Sequence, residues 1–316
     1  MTGEDPRTPA GTPWSLALWI AVAVVLFIVT PGPPEPVAET AEQTQATQRA
    51  AEISADQARQ WQAEYGDKNL DWDEAKGHLA IVIDDVGREL HHFDKLHALR
   101  YRLTFSVLPG AVYAPGVQLR LSSDHRRRRE IMLHLPMEPS LPQMMREGAE
   151  AQEVFLLLSD DVPTLRAKVE AALARVPAAT AVNNHMGSAL TRDRVAMDAV
   201  MAELRVHGQT FVDSRTIGDT VAADAAKSVG IPVASREIFL DHDPSPEAIE
   251  AALDEAALLS KDHPVIAIGH PSDAVVDVLT RRLDVLHAEG IGIYPVSDVV
   301  FERMKMDTDD APRVAG

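Results

Sequence analysis

The chain has 316 residues and no cysteine, and its formal net charge at pH 7 is −18, from 30 Lys and Arg against 48 Asp and Glu. The lack of cysteine excludes disulfides, thiolate metal ligands and a cysteine nucleophile. The acidic charge argues against a nucleic-acid partner, because its phosphates would be repelled. The basic tract 125–129 is interpreted as a solvated helix end, with a polyanion contact as the alternative.

An uncharged apolar segment, 14–30, lies near the N-terminus between two prolines. A membrane-spanning helix needs about 17–25 residues, whereas the apolar region of a signal peptide has about 7–15. We therefore expect a single uncleaved transmembrane anchor at 14–30 after a short tail at 1–13, with a cleaved signal peptide as the alternative. Arg7 precedes the segment and no Lys or Arg follows it before Arg49. The positive-inside rule then predicts an inner (cytoplasmic) membrane protein, its bulk on the periplasmic side.

Residues 31–77 have the Pro-, Ala- and Gln-rich composition of a linker, with a spacer helix predicted over 46–66. From 78 to 302, short apolar runs alternate with amphipathic segments of helical length. The predicted strands are 79–84, 102–108, 130–135, 179–183, 209–213, 236–240, 264–269 and 291–296. The predicted helices are 89–100, 111–123, 161–175, 193–207, 220–229, 246–260 and 273–289. Residues 303–316 are expected to form a disordered tail.

This alternation predicts an α/β fold with a parallel sheet and right-handed crossovers. The number and spacing of the units predict a distorted (β/α) barrel of seven or eight parallel strands, with an open doubly wound sheet as the alternative. No glycine-rich phosphate-binding motif follows any of these strands, so we expect no nucleotide.

Residues that can bind a metal follow several of the predicted strands. In chain order they are Asp84 with Asp85, His134, Asn183 with Asn184 and His185, Asp213, Asp241 with Asp243, and His270. The carboxyl ends of barrel strands meet at one rim, so these groups are expected to converge. Carboxylates and imidazoles together suit a divalent cation, with zinc preferred. A helix cap is the alternative for any one of them, and is the interpretation favoured for Asp241 and Asp243.

Six stretches in order resemble the divergent polysaccharide deacetylase family: IDDVG, HLPMEP, NNHMGS, FVDSRT, FLD and IGHP. These proteins are distant relatives of the metal-dependent deacetylases of chitin and peptidoglycan, and the resemblance spans roughly 78–302. It implies that Asp84 is a general base, that Asp85 and His134 are metal ligands, and that His270 is a general acid.

The sequence departs from the family pattern at the third metal ligand. The relatives carry a second histidine four residues after the first, and here that position is Glu138. We expect His185 to supply the third ligand, with Glu138 as the alternative. The remaining residues expected to support the catalytic groups or position the substrate are Asn183, Asn184, Asp213 and Arg215.

The implied function is metal-dependent removal of N-acetyl groups from an envelope polysaccharide by a membrane-attached enzyme. One alternative is a glycan-binding or scaffold domain that has kept the barrel without turnover, which the loss of the second histidine favours. Another is an O-acetyl esterase that uses the same groups. The presence of a base, an acid and two ligands together favours an enzyme.

Overall fold

The computed structural model describes residues 41–124, 127, 129–146, 150 and 152–309. The predicted anchor at 14–30 therefore lies outside the described residues, as does the tail at 1–13. Within the part of the chain that is described, no helix has the length and apolarity that a membrane span needs. The chain divides into two units, 1–59 and 60–316. The described part of the first unit is helical, and the helix predicted over 46–66 is observed as α1, Ala41–Tyr65.

The second unit contains a nine-stranded parallel sheet in the order β6-β5-β4-β3-β2-β1-β8-β7, with β9 paired to β1. The strands are β1 (Gly77–Val86), β2 (Thr104–Val107), β3 (Glu130–Met137), β4 (Ala181–Met186), β5 (Thr210–Asp213), β6 (Val233–Ser235), β7 (Ile238–Phe239), β8 (Val265–Gly269) and β9 (Ile291–Ile293). The helices are α2 (His91–Ala98), α3 (Ala114–Ser123), α4 (Val162–Arg175), α5 (Arg194–Val206), α6 (Ala222–Val229), α7 (Pro246–Leu259), α8 (Asp273–Ala288) and α9 (Val296–Asp309).

The two ends of the sheet meet at the short strands β6 and β7. β6 pairs with β5 and β7 pairs with β8, yet only Arg236 and Glu237 separate β6 from β7 along the chain. The sheet is therefore curved into a barrel whose two edge strands are adjacent along the chain. In the described chain, no ladder of hydrogen bonds joins β6 to β7. This half-open parallel barrel with helices confirms the predicted α/β class and is consistent with a distorted (β/α) barrel.

Side chains alternate between the two faces of the sheet, as the period of a strand requires. On β1, Leu79, Ile81 and Ile83 pack with the helices in the larger core cluster. Ala80 and Val82 belong to a second cluster that fills the barrel interior, together with residues of four other strands (Met132, Ala181, Val212, Ile266). Burial on both faces explains why β1 is a continuous apolar run.

Helix α9 extends the folded body beyond its predicted end at 302. Its residues Val296, Val299 and Val300 are buried in the interior cluster, and Met304 packs against the same cluster. This packing stabilises a helix as far as Asp309, so residues 303–309 are helical rather than part of a tail. The rest of the predicted tail lies outside the described residues.

The folded body also begins before residue 78, within the predicted linker. Asp67 accepts two hydrogen bonds, of 2.6 and 2.8 Å, from the guanidinium of Arg129, and the two side chains are 4% and 0% exposed. Trp72 stacks on His78 with ring centroids 4.1 Å apart. The last residues of the predicted linker are therefore packed on the barrel. For Arg129, the interpretation as a solvated helix end is wrong, because its guanidinium is buried against Asp67.

Candidate metal centre and active site

The two adjacent carboxylates of β1 reach one cavity because the strand is irregular at its end. The pairing of β1 with β2 shifts register between Ile83 and Val86, and Asp85 has a left-handed backbone with φ 56°. In a regular strand, neighbouring side chains point to opposite faces. The left-handed residue breaks this alternation, so that Asp84 and Asp85 both line the same cavity.

Left-handed backbone recurs at the ends of two other strands around this cavity. Met186 has φ 52° at the end of β4 and Arg215 has φ 49° just after β5, and both residues line the cavity with Asp85. In the described chain these three are the non-glycine residues with positive φ. Because this conformation costs on the order of 1–2 kcal/mol outside glycine, backbone strain is concentrated at this site.

Three potential metal-ligand atoms form a nearly equilateral triangle. Asp85 Oδ1 lies 3.2 Å from His134 Nε2 and 3.1 Å from His185 Nδ1, and the two nitrogens are 3.2 Å apart. Ligands about 2.0–2.1 Å from a zinc ion lie about 2.9–3.4 Å from one another, depending on whether the angles are octahedral or tetrahedral. The triangle therefore has the dimensions of one face of a zinc coordination shell.

The hydrogen bonds behind the triangle leave both imidazoles ready to bind a cation. His134 Nδ1 donates to Asn183 Oδ1 at 2.8 Å, which leaves the lone pair of Nε2 facing the triangle. His185 Nε2 donates to Glu150 Oε2 at 2.8 Å, which leaves the lone pair of Nδ1 facing it. Partners of this kind set the tautomer and orientation of metal-binding histidines.

The charge balance also fits a divalent cation. Arg88 donates to Asp85 Oδ2 at 2.9 Å and contacts Glu150, so Asp85 presents Oδ1 to the triangle. That oxygen is buried and accepts no hydrogen bond of normal geometry within the described chain. With neutral histidines, the carboxylates of Asp84, Asp85 and Glu150 exceed the guanidinium of Arg88, which pairs with two of them, by two negative charges. Arg215 and Arg236 also line the cavity, but they form no ion pair with these carboxylates. The donor set, the orphaned oxygen and the charge therefore all suit a divalent metal.

The pKa shifts show how strongly these groups interact. Burial raises the pKa of Asp85, but the neighbouring His134 and His185 outweigh burial and hold that pKa well below its usual value. Burial lowers the pKa of His185, but contacts with Asp85 and Glu150 raise it to about 9. A cation in the triangle would therefore compete with a proton on His185.

Asn183 links the triangle to Asp84. Its Nδ2 donates to Asp84 Oδ1 at 2.8 Å and to Ser214 Oγ at 3.1 Å, while its Oδ1 accepts from His134 and from Ser106 Oγ. Asn183 is 0% exposed and Asp84 is 3% exposed. The carboxylate of Asp84 is therefore fixed beside the triangle without belonging to it.

His270 lines the same cavity from the end of β8. Its backbone N donates to Asp241 Oδ2 at 2.9 Å, and its Nδ1 lies 3.3 Å from both carboxylate oxygens. Burial lowers the pKa of His270, but Asp241, together with the charges of Asp84 and Asp85, raises it to about 9. The predicted capping role of Asp241 is therefore wrong. Asp243, by contrast, accepts from Ser245 N in the turn that precedes α7.

Glu138, the alternative third ligand, is turned away from the cavity. Its Oε2 accepts a hydrogen bond from the backbone N of Leu158 at 2.6 Å. The structure therefore brings His185, and not Glu138, to Asp85 and His134.

The other predicted supporting residues lie around the cavity in different ways. Asn184 ties strand ends together by donating to Met186 O and accepting from Ser214 N. Asp213 is buried, and its Oδ1 accepts from the backbone N of Arg215 rather than from the guanidinium. Arg215 itself lines the cavity.

The cavity has a volume of about 660 Å³ and opens at the carboxyl ends of the strands. Its lining is Asp84, Asp85, His134, Glu150, Asn184, His185, Met186, Ser214, Arg215, Thr216, Arg236, Phe239, His242 and His270. A volume of this size is typical of binding sites for small molecules.

Sequence reasoning missed three residues of this site, Arg88, Glu150 and Arg236, and misinterpreted a fourth, Asp241. Arg88 and Glu150 do not lie at the ends of predicted strands, and their local sequence contains no motif that predicts a place in the site. Asp241 is the aspartate of the FLD stretch at the end of a predicted strand, but it was interpreted as a helix cap. Arg236 opens the predicted strand 236–240 and carried no motif.

A second histidine group fits a metal less well. His91, His92 and Asp273 lie within reach of a common ion, but Lys95 Nζ is 3.5 Å from Asp273 Oδ1. Asp273 also begins α8, where the helix dipole favours an anion over a cation. This group is better described as an ion-pair cluster between two helices.

The fold and site define the chain as a half-open (β/α) barrel protein with a candidate divalent metal centre at the carboxyl ends of its strands. Residues 81–300 match the family model of the divergent polysaccharide deacetylases. The chain belongs to this family, which confirms the resemblance seen in the sequence.

Similar proteins come from several bacteria. The uncharacterized protein YibQ of Escherichia coli K12 is 32% identical over 240 residues, covering 76% of this chain and 72% of its own length. An uncharacterized protein of Haemophilus influenzae is 34% identical over 210 residues, covering 66% of this chain and 72% of its own. The crystal structure of an uncharacterized protein from Agrobacterium tumefaciens C58 superposes with a TM-score of 0.64 at 20% identity, covering 73% and 92% of the two chains. This likeness shows a shared fold.

Proposed function

We propose that this protein is a metal-dependent hydrolase that removes N-acetyl groups from an acetylated envelope polysaccharide. The observation that carries the proposal is the Asp85, His134 and His185 triangle, set in one cavity with Asp84 and His270. Two imidazoles and a carboxylate form a common ligand set of catalytic zinc, and zinc is the proposed ion. Family membership supports a deacetylase over other metal-dependent hydrolases.

The proposed roles follow from position. Asp85, His134 and His185 hold the cation, and Glu150, Arg88 and Asn183 orient these ligands. When bound, a divalent cation supplies a Lewis acid that lowers the pKa of water toward about 7 and polarises a carbonyl oxygen.

In amide hydrolysis, the oxygen of water forms a bond to the acetyl carbon and the carbon–nitrogen bond breaks. Asp84 lies beside the triangle as an acceptor for the proton that the water loses. His270, whose raised pKa keeps it protonated at neutral pH, donates a proton to the departing nitrogen. The products are acetate and a free amine.

We also propose that 14–30 anchors the protein in the inner membrane with the barrel on the periplasmic side. This rests on the apolar segment and on the distribution of positive charge around it. A barrel facing the periplasm would meet envelope glycans directly.

Metal analysis of the purified full-length protein tests the site. The wild type should bind a single zinc ion. Asp85→Ala, His134→Ala and His185→Ala should each lose it, while Glu138→Gln should retain it because Glu138 faces Leu158. If His185→Ala kept its full zinc content and Glu138→Gln lost its zinc, the assigned ligand set would be contradicted.

Acetate release by the zinc-loaded wild type tests the reaction. Substrates should include chitin oligomers, peptidoglycan fragments and an O-acetyl ester. Release from the N-acetylated glycans supports the proposal, release from the ester alone favours the esterase, and no release from any of them favours the glycan-binding domain.

A further inference from the structure

The wall of the cavity formed after β5 and β6 carries two arginines that the proposed chemistry does not use. Arg215 and Arg236 both line the cavity, and neither forms an ion pair with a residue that the structure describes. Other arginines of this acidic chain, such as Arg88, Arg129 and Arg166, are paired with carboxylates. Arg215 and Arg236 thus place two guanidiniums without a carboxylate partner in one cavity.

Arg236 is held in a fixed position. Its Nε donates to Ser214 O at 2.7 Å, and its Nη2 donates to Arg215 O at 3.1 Å. Its guanidinium carbon lies 4.9 Å from the ring centroid of Phe239. Nη1 has no hydrogen-bond partner among the described residues. A guanidinium fixed by two backbone carbonyls and an aromatic ring loses little side-chain entropy when it binds an anion.

The local electrostatics of Arg236 are compatible with a bound anion. Burial and the positive charge of Arg215 both lower the pKa of Arg236, and together they outweigh the opposite influence of Asp84 and Asp213. Asp84 accepts hydrogen bonds from Asn183, and Asp213 Oδ1 accepts one from the backbone N of Arg215, while Asp213 Oδ2 has no hydrogen-bond partner in the described chain. An anion bound in this part of the cavity would reduce the repulsion between the two positive charges and compensate for the water that Arg236 loses on burial.

We propose that Arg215 and Arg236 bind a carboxylate on the substrate, so that the preferred substrate is an acidic acetylated glycan; this inference rests on the proposed function. A monoanion fits better than a dianion, because Asp84, Asp85 and Glu150 line the same cavity and repel additional negative charge. The arginines thus select the substrate, while Asp84 and His270 carry out the chemistry.

The test compares two substrates that differ in one group. One is an N-acetylated glycan oligomer with a sugar carboxylate, and the other is the same oligomer with that carboxylate converted to a primary amide. For the zinc-loaded full-length wild type, kcat/KM should be about 10-fold to 100-fold higher for the acid, as expected for a charge-assisted hydrogen bond. This preference should weaken with added salt.

Arg236→Gln and Arg215→Gln should move the acid-to-amide ratio of kcat/KM toward one, mainly through KM. Arg236→Lys should restore part of the ratio, since lysine keeps the charge without the planar fork. Arg194→Gln is the matched control, because Arg194 pairs with Asp198 on the surface of α5. A purely structural role for Arg236 would lower both rates in proportion, and an unchanged ratio would overturn the proposal.

Equilibrium dialysis of both oligomers with the same proteins separates this inference from the proposed function. A wild type that binds the acid more tightly but releases no acetate would contradict the deacetylase and support the anion site. A wild type that hydrolyses and binds both oligomers equally well would support the deacetylase and overturn the anion site.

Discussion

Asn183 couples two functions of the site through one buried amide. Its oxygen accepts from His134 Nδ1, and its nitrogen donates to Asp84. The amide thus orients a proposed metal ligand and the proposed base at once, so that a change in either is transmitted to the other. Buried networks of this kind are rigid because every member is satisfied.

The contact between Glu150 and His185 leads to a prediction about metal affinity. Glu150 accepts from His185 Nε2 at 2.8 Å, so its charge makes the imidazole a better ligand. Glu150→Gln should weaken zinc binding about 10-fold to 100-fold, as measured by competition with a chelator. Glu153→Gln is the control, since Glu153 accepts from Gly110 N. Equal affinities in the two variants would show that Glu150 does not support the ligand.

His270 and Asp241 lead to a prediction about pH. The raised pKa of His270, about 9, means that the protonated acid is present below this value and is lost as the pH rises through it. Asp241→Asn removes the charge that stabilises the imidazolium, so the alkaline limb of kcat/KM should move to lower pH. A bound cation moves the alkaline limb to lower pH in both the wild type and Asp241→Asn. The test is therefore the difference in pH between the two limbs. Coincident limbs would contradict the role of Asp241.

The sequence predicted the parts of the site that follow strands and missed those that do not. Asp84, Asp85, His134 and His185 lie at or just after the carboxyl ends of predicted strands, so a parallel fold must bring them to one edge. Glu150 reaches His185 from a connection between strands, and no local pattern encodes that approach. Asp241 was interpreted as a cap because an aspartate before a helix serves that role so often.

At the scale of elements, the irregular ends of β1, β4 and β5 build the site. The left-handed residues Asp85, Met186 and Arg215 turn each strand end out of its regular alternation. Sequence patterns assume regular strands, so they predicted which residues end each strand but not the side on which these residues lie. The strand predicted at 236–240 is observed only as the two residues of β7, and β6 just before it was not predicted. These two short strands pair with opposite edges of the sheet.

The segment after α1 should contribute measurably to stability. Asp67 joins it to the start of β3 through the buried pair with Arg129. Asp67→Ala leaves the guanidinium buried without its charge partner, which costs about 3–5 kcal/mol in the free energy of unfolding. Urea unfolding measures this loss. The control is Asp198→Ala, at an exposed pair with Arg194, which should leave the midpoint nearly unchanged. Similar midpoints for both variants would show that Asp67 does not secure the segment.

At the scale of the whole molecule, the barrel interior is filled by apolar side chains and by α9, and the chemistry is confined to the carboxyl ends of the strands. The regular alternation of strands and helices was enough to predict this division. The C-terminal end of the domain was not predictable from the same pattern. Helix α9 follows the last strand, and no later strand indicates that this helix belongs to the domain.

Removing residues 1–45 should leave the barrel intact, because the buried core lies between Leu79 and Val300. The truncated protein should keep the melting temperature and zinc content of the full-length protein and should move from the membrane to the soluble fraction. Aggregation, or a loss of the cooperative transition, would show that the removed segment is part of the fold. Retention in the membrane fraction would contradict the proposed anchor.

The most direct test of the proposed function compares wild type and Asp84→Asn at equal zinc occupancy. Asp84 lies outside the ligand triangle, so the variant should keep its metal and its fold while losing the proton acceptor. Acetate release from an N-acetylated glycan should fall by about 10²–10⁴-fold in Asp84→Asn. Asp243→Asn, in the turn before α7, should match the wild type. Equal acetate release from Asp84→Asn and wild type, or none from zinc-loaded wild type, would contradict the proposed reaction.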